Sequence, residues 1–248
     1  MHPRGYPSKS TVFFARMTLQ IVYDRLMNAN SLLVLCLSLW STPASGEALN
    51  IDLGGGFSTP PASTYGAAAY QPGFWNPVNL VKNDLVDING NSTPVRYASE
   101  ANGGFLLDIQ GATPDDKLLM DSALSVQSTR SAATFSNLQP GLYDLYIYCW
   151  AGNLLGPKDV TIRAFTGAGQ VVGGVRYGEQ WPGQQVLGET YDKLRVEVTP
   201  GDGQYIDIAI QAFGDFNVIN GVQLVPIPAP ATLTLAPAAL LACRRRRR

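Results

Sequence analysis

The sequence predicts an all-β chain, a single antiparallel β-sandwich of about nine strands. Three observations carry this expectation. Between residues 47 and 225, apolar and polar residues alternate with a period of two in short runs. Glycine, proline, asparagine and aspartate punctuate those runs, as turns require. No convincing helical pattern stands between them, so the alternation of strands and helices that builds a parallel sheet is absent.

The elements follow in order. Residues 48–53 form a first strand that stops at Gly54-Gly55-Gly56. Residues 59–77 make a long loop of aromatic and small residues. Strands are expected at 95–99 and 105–110, then a polar turn at 115–121 with room for one helical turn. Residues 132–138 alternate up to Gln139-Pro140-Gly141, where proline and glycine sit as a β-turn uses them. The strand 142–150 is the strongest of all, followed by strands at 160–165, 170–176 and 193–199. After the turn 200–203 come 205–212 and 218–225. Alternation also assigns faces. Leu194, Val196, Val198, Ile206, Ile208 and Ile210 point into a core, while Lys193, Arg195 and Glu197 point out.

Both ends of the chain read as addresses. Residues 31–40 are an apolar run too short to span a bilayer, preceded by Arg25 and followed by Thr42-Pro43-Ala44-Ser45-Gly46. That order is expected of a secretory signal peptide, cleaved after Gly46 or Ala48, with Met17 and Met27 as alternative starts. The organisation is therefore 1–46 leader, 47–226 sandwich and 227–248 tail. In the tail, Pro228-Ala229-Pro230 precedes a run of 13 residues, 231–243, and then Arg244, Arg245, Arg246, Arg247 and Arg248. As a helix that run reaches about 20 Å, against a hydrocarbon core of about 30 Å. It suits a transient stop, with the arginines on the cytoplasmic side.

This order of prolines, apolar segment and arginine cluster resembles the PEP-CTERM sorting signal, with Ala229 where the signal has glutamate. The resemblance implies processing by an exosortase and a transient membrane contact. It also implies a destination in the envelope, on the surface or in the matrix of a Gram-negative-type bacterium. Residues 134–151 (TFSNLQPGLYDLYIYCWA) and 218–226 (VINGVQLVP) resemble galactose-binding-like jelly rolls, and Asn50–Gly55 (NIDLGG) is similar to the opening strand of malectin-like domains. That likeness implies a jelly-roll sandwich of the kind found in carbohydrate-binding modules.

Counting removes much chemistry. Residues 1–46 carry a net charge of +3 and the terminal arginines +5, so residues 47–243 hold 18 acids against 9 bases, a net of −9. An acidic domain is a poor partner for nucleic acid. Cys36 and Cys243 lie in the two addresses, which leaves Cys149 without a disulfide partner. The one histidine, His2, lies ahead of the cleavage site. Ser-His-Asp and Cys-His catalysis and the usual zinc sites are excluded from the mature chain.

One strand offers a ligand surface. On 142–150, Tyr143, Leu145, Ile147 and Cys149 share one face, and Asp144, Tyr146, Tyr148 and Trp150 share the other. An aromatic stripe with a carboxylate suits a ligand that has both an apolar face and hydroxyl groups, such as a sugar. The alternative is that both faces are buried, one under the partner sheet and one under a loop such as 59–77. Trp75 and Trp181 lie in loops and read either as further ligand contacts or as plugs at the sheet ends. No cofactor is required. Asp84, Asp87, Asn89, Gly90 and Asn91 space oxygen atoms somewhat as a calcium loop does, with Asp115, Asp116 and Asp215 as outside candidates.

The expected function is a non-catalytic, exported protein that binds polysaccharide. The competing expectations are a structural or adhesive matrix protein without a defined pocket, and a carboxylate-based glycosidase or lyase.

Overall fold

Two facing sheets account for most of the alternation. The computed structural model describes residues 46–55, 59–127, 131–212 and 217–229. The leader, Asp215, Pro230 and the arginine cluster lie outside the described residues.

In the first half of the domain the strands are short: β1 (Leu49–Leu53), β2 (Trp75–Val78), β3 (Val81–Lys82), β4 (Arg96–Ala98) and β5 (Gly103–Leu106). Helix α1 (Pro114–Asp121) leads directly into β6 (Ser122–Val126), and β7 (Ser131–Ser136) follows. The second half holds the long strands β8 (Gly141–Tyr148), β9 (Lys158–Thr166), β10 (Gly169–Tyr177), β11 (Tyr191–Val198) and β12 (Tyr205–Ala212). A one-turn helix, α2 (Gly152–Leu155), separates β8 from β9. The described chain ends with β13 (Asn217–Ile219) and β14 (Gly221–Ile227).

The first sheet has the order β11-β8-β14-β1-β2, the second β10-β9-β12-β7-β4-β3, and a small third sheet β13-β6-β5. Named strands pair antiparallel, except β1 with β2. The all-β sandwich is the architecture that the alternation predicts. The core is one cluster in which Ile51, Leu145, Ile147, Leu194, Val196 and Leu224 from the first sheet join Ile162, Ile206, Ile208 and Ile210 from the second. Burial of each such side chain contributes about 1.5–3 kcal/mol.

Trp75, expected in a loop, lies in β2, where it pairs with Asn50 of β1. Three further differences have a local reason. The turn at 115–121 is a full helix of 8 residues. Thr113 caps it by accepting from the Asp116 N–H at 3.2 Å, Pro114 opens it, and two aspartates occupy its first turn. Eight residues are too few to display a helical period. The strand expected at 218–225 is broken at Asn220, whose side chain is drawn into other bonds. Its Nδ2 donates to the carbonyls of Met120 (2.8 Å) and Ser122 (3.2 Å), and its Oδ1 accepts from the Trp150 N–H (2.8 Å). The strand expected at 105–110 begins at Gly103 and stops at Leu106, where the chain turns toward α1.

The edges of the two large sheets are tied where β10 meets β11. Asp192 accepts from the Gly174 N–H at 2.6 Å, and the Arg176 N–H donates to the Gly188 carbonyl at 2.8 Å. These bonds occupy part of an edge that would otherwise invite another strand. No helix among the described residues is long and apolar enough to cross a membrane.

Helix α1 lies against the outer face of the first sheet at Gly221. A Cβ there would stand 2.7 Å from Leu119 Cδ1 and 3.0 Å from the Ile51 carbonyl oxygen. Gly221→Ala is therefore expected to lower stability by about 1–3 kcal/mol through overpacking, measured as a lower denaturation midpoint with an unchanged m-value.

Candidate functional site

The outer face of the first sheet follows from its register. One row across the strands reads Tyr191, Tyr148, Gly221, Asp52 and Pro77, and the next Lys193, Tyr146, Gln223, Asn50 and Trp75. A third begins with Arg195, Asp144 and Val225. The loop before β2 covers the middle and the β2 side of this face.

A buried polar seam fixes that cover. Gln71 Nε2 donates to Asn50 Oδ1 (2.9 Å), and Asn50 Nδ2 donates back to the Gln71 carbonyl (3.0 Å). Gln223 Nε2 also donates to Asn50 Oδ1, at 2.8 Å. The Tyr148 hydroxyl donates to Gln223 Oε1 and accepts from the Ala68 N–H at 2.9 Å. Trp75 stacks on Tyr65, with centroids 5.9 Å apart, and its Nε1 donates to the Tyr65 carbonyl at 3.1 Å.

The exposed stripe expected on 142–150 is thereby corrected. Tyr148 is 0% exposed and Trp150 1%. The buried-face alternative describes this half of the strand, because the loop brings hydrogen-bond partners to a tyrosine that the sheet alone would leave in water. Trp75 is buried too, and half-buried Trp181 packs edge-on against Trp150 at 5.5 Å and 90°. The described structure offers the rings of Trp75, Tyr148 and Trp150 to no ligand.

The other half of the stripe is half-buried and gains neighbours. Tyr146 and Asp144 meet Tyr191, Lys193 and Arg195 across the β8–β11 pair. The Tyr146 and Tyr191 rings stack at 6.0 Å and 29°. Lys193 Nζ stands 5.1 Å from the centroid of Tyr146 and 2.7 Å from Asp144 Oδ2. Arg195 Nε donates to Asp144 Oδ1 at 2.9 Å, and its Nη2 donates to Oδ2 at 3.4 Å. Desolvation alone would raise the Asp144 pKa, but the bonds from Arg195 and Lys193 outweigh it and hold the carboxyl below its ordinary value. The Lys193 ammonium is raised, first by its bond to Asp144. Tyr70 stands beside this platform with 91% exposure, held at φ 52° in the left-handed region. A bulky residue rarely adopts that backbone.

Sequence reasoning missed Tyr191 and Tyr70. Tyr191 continues the outward alternation of Lys193 and Arg195 by one more step, so its signal was present. Tyr70 gave none, because a loop has no period. At the far end of the row, Arg195, Glu197 and Leu142 line a cleft of about 260 Å³ together with Gln170 and Val171 of β10.

Three of the acidic groups considered for calcium bond groups of the chain itself. Asp87 accepts from the N–H groups of Asn89 (2.9 Å) and Asn91 (2.8 Å) and from Asn91 Nδ2 (3.0 Å). Asp116 accepts from the Tyr65 hydroxyl, from Thr113 Oγ1 (2.8 Å) and from Gln185 Nε2 (3.1 Å). Asp115 accepts from the Ala62 N–H at 3.2 Å. No group of three or more His, Cys, Asp or Glu is placed to hold a metal ion among the described residues. Cys149 is buried, and burial pushes its thiol well up, away from the thiolate.

No protein-family model matches the chain, and no curated protein matches it. Similar solved structures include a Bacteroides uniformis β-glucuronidase, at 14% identity and TM-score 0.37 over 62% of this chain and 20% of that one. A GH115 4-O-methyl-α-glucuronidase, BtGH115A, is similar at 15% identity and TM-score 0.31, over 52% of this chain and 17% of that one. The CBM22-1 xylan-binding domain of Paenibacillus barcinonensis Xyn10C is similar at 11% identity and TM-score 0.30, over 75% of this chain and 98% of that domain. The match thus spans about a fifth of the length of the glucuronidases. At such scores no residue role carries over.

Asp52 lies in the covered part of the face. It is fully buried and accepts from Ser122 Oγ at 2.9 Å, while its Oδ2 has no partner. Burial raises its pKa well above the ordinary value, and the Ser122 bond only partly offsets this. The folded state therefore keeps the proton to higher pH than the unfolded chain does, so stability falls as pH rises above the unfolded carboxylate value. Asp52→Asn is expected to flatten that fall and to raise the melting temperature at neutral pH. Thermal melts of both proteins from pH 4 to pH 8 check this, and parallel curves would refute it.

Proposed function

We propose that the chain is an exported, non-catalytic carbohydrate-binding protein of the cell surface or extracellular matrix, with the Tyr146–Tyr191 platform as its binding face. The observation that carries this reading is the platform itself. Two neighbouring, half-buried tyrosines give an apolar surface against which a sugar ring can pack. Beside them, Asp144, Lys193 and Arg195 offer acceptors and donors for hydroxyl groups. Asp144 holds both cations in place before any ligand arrives, which reduces the ordering cost of binding.

The non-catalytic part rests on chemistry. A glycosidase needs one carboxyl with a raised pKa to act as acid, and Asp144 is held low by its cations. Asp52 is raised, but it is sealed from solvent. The single cysteine of the sandwich is a buried thiol. Export and sorting rest on the sequence of the two ends. We read the leader as a secretory signal and the tail from Pro228 to Arg248 as a signal for an exosortase.

Two tests follow. In affinity electrophoresis against a broad panel of polysaccharides, the protein should be retarded by at least one. Tyr146→Ala and Tyr191→Ala should each weaken that retention by about tenfold or more, near 1.4 kcal/mol, with a smaller loss of stability than a fully buried aromatic gives. Trp150→Ala should instead cost about 3–5 kcal/mol of stability, as a buried aromatic does. Retention that survives both tyrosine variants would sink the assignment. For the tail, deleting Arg244–Arg248 should leave the protein unprocessed or mislocalised, read as the mass and location of the mature form. An unchanged mass and location would overturn the sorting reading.

A further inference from the structure

The platform is a row with exposed residues at both ends, and this bears on what it holds. Tyr191 to Glu197 spans seven residues of β11, about 20 Å along the strand. Beyond Tyr191 stand exposed Leu187 and Tyr70, and at the other end exposed Leu142 borders Glu197. Arg195 belongs to both the platform and the cleft of about 260 Å³, so the cleft begins where the platform ends. That volume is smaller than the roughly 300–1,000 Å³ of sites that enclose a small ligand. A single sugar placed on this row would leave most of it unused.

The charges along the row also balance. Lys193 and Arg195 are matched in number by Asp144 and Glu197, and Asp144 is already paired with both cations. Asp192 does not add to the row, since it reaches across to the Gly174 N–H of β10. Around this neutral strip the domain is acidic, with a net charge of −9 over 47–243. A polyanion approaching it is repelled at long range and meets no surplus of cations at contact.

We propose, resting on the carbohydrate-binding reading above, that this site takes an internal stretch of a neutral polysaccharide chain. A chain end or an acidic polymer does not fit it. The sugar rings lie along β11 from Tyr191 over Tyr146 to the cleft. Lys193, Asp144 and Arg195 bond hydroxyls on the way, and Gln170 and Glu197 receive the last unit. Specificity comes from ring faces and hydroxyls, and affinity accumulates with length.

The test is calorimetric titration of the full-length protein with neutral gluco-, manno-, galacto- and xylo-oligosaccharides of increasing length. Each series includes its monosaccharide, and polygalacturonate serves as the acidic polymer. In the series that binds, affinity should rise with each added unit until the row is filled. The monosaccharide should bind at least about tenfold more weakly than the longest member. Raising the salt concentration should leave the affinity nearly unchanged, since no net charge is neutralised. Gln170→Ala, at an exposed position of the cleft, should remove the gain from the last units. A monosaccharide that competes as well as a long chain overturns the proposal, as does tighter, salt-sensitive binding of polygalacturonate. Either result leaves the carbohydrate-binding reading intact. Failure of every glycan to bind removes both.

Discussion

The seam that joins Tyr148, Gln223, Asn50 and Gln71 decides what the outer face of the first sheet can be. Asn50 and Gln223 are adjacent across the β1–β14 pair and fully buried. Amides in that position cost about 1–3 kcal/mol each if left without partners, so the loop that supplies Gln71 and the Ala68 N–H cannot leave without exposing or stranding them. The same loop is held from its other side. Tyr65 donates to Asp116 at the start of α1, and Gln185 reaches the same carboxylate from the segment before β11. Loop, helix and sheet are fastened by a few polar groups, and the half-buried platform lies beyond the loop's cover.

The sandwich was legible because its cause is local. A period of two fixes which side chains share a face, and turn residues fix where a strand ends, so Leu194, Val196, Ile206 and Ile208 could be assigned inward from the sequence. The platform was half legible for the same reason. Alternation gave the shared face of Asp144 and Tyr146, and the outward direction of Lys193 and Arg195, but it could not show that these two pairs stand side by side. Strand order is set by long-range pairing, which leaves no periodic trace. Nor could alternation separate Tyr146 from Tyr148. They point the same way on one strand, and only the path of a loop some 80 residues earlier in sequence distinguishes them.

Short or singular elements stayed hidden because they lack repetition. Helix α1 depends on a cap at Thr113 and a proline at its first position more than on an apolar stripe. The break between β13 and β14 depends on one side chain, Asn220, whose bonds to Met120, Ser122 and Trp150 all lie far away in sequence. The acidic loop at Asp87 carries two readings at once. Its oxygen spacing suggests cation binding, while its carboxylate bonds the N–H groups of its own turn. Spacing alone does not separate these outcomes, because aspartate and asparagine favour tight turns for the same acceptor chemistry that suits calcium.

The face thus divides into a dry half and a wet half, and the side chains follow dielectric logic. Where the loop and α1 exclude water, the chain uses amides and a tyrosine hydroxyl, which can be fully bonded without carrying charge. Where water reaches, it uses an aspartate and two cations, whose pairing brings little stability at a surface but fixes geometry. Asp52 is the exception on the dry side. A charged carboxylate there has only the Ser122 hydroxyl for company, so burial favours the protonated acid, and the residue behaves much as a neutral amide would. Asp144, on the same face two strands away, has the opposite fate because Lys193 and Arg195 reach it. The two aspartates differ in neither chemistry nor sheet face. They differ in whether water reaches them and in whether a neighbouring strand carries cations, and both differences place the ion-bearing surface at the β8–β11 edge.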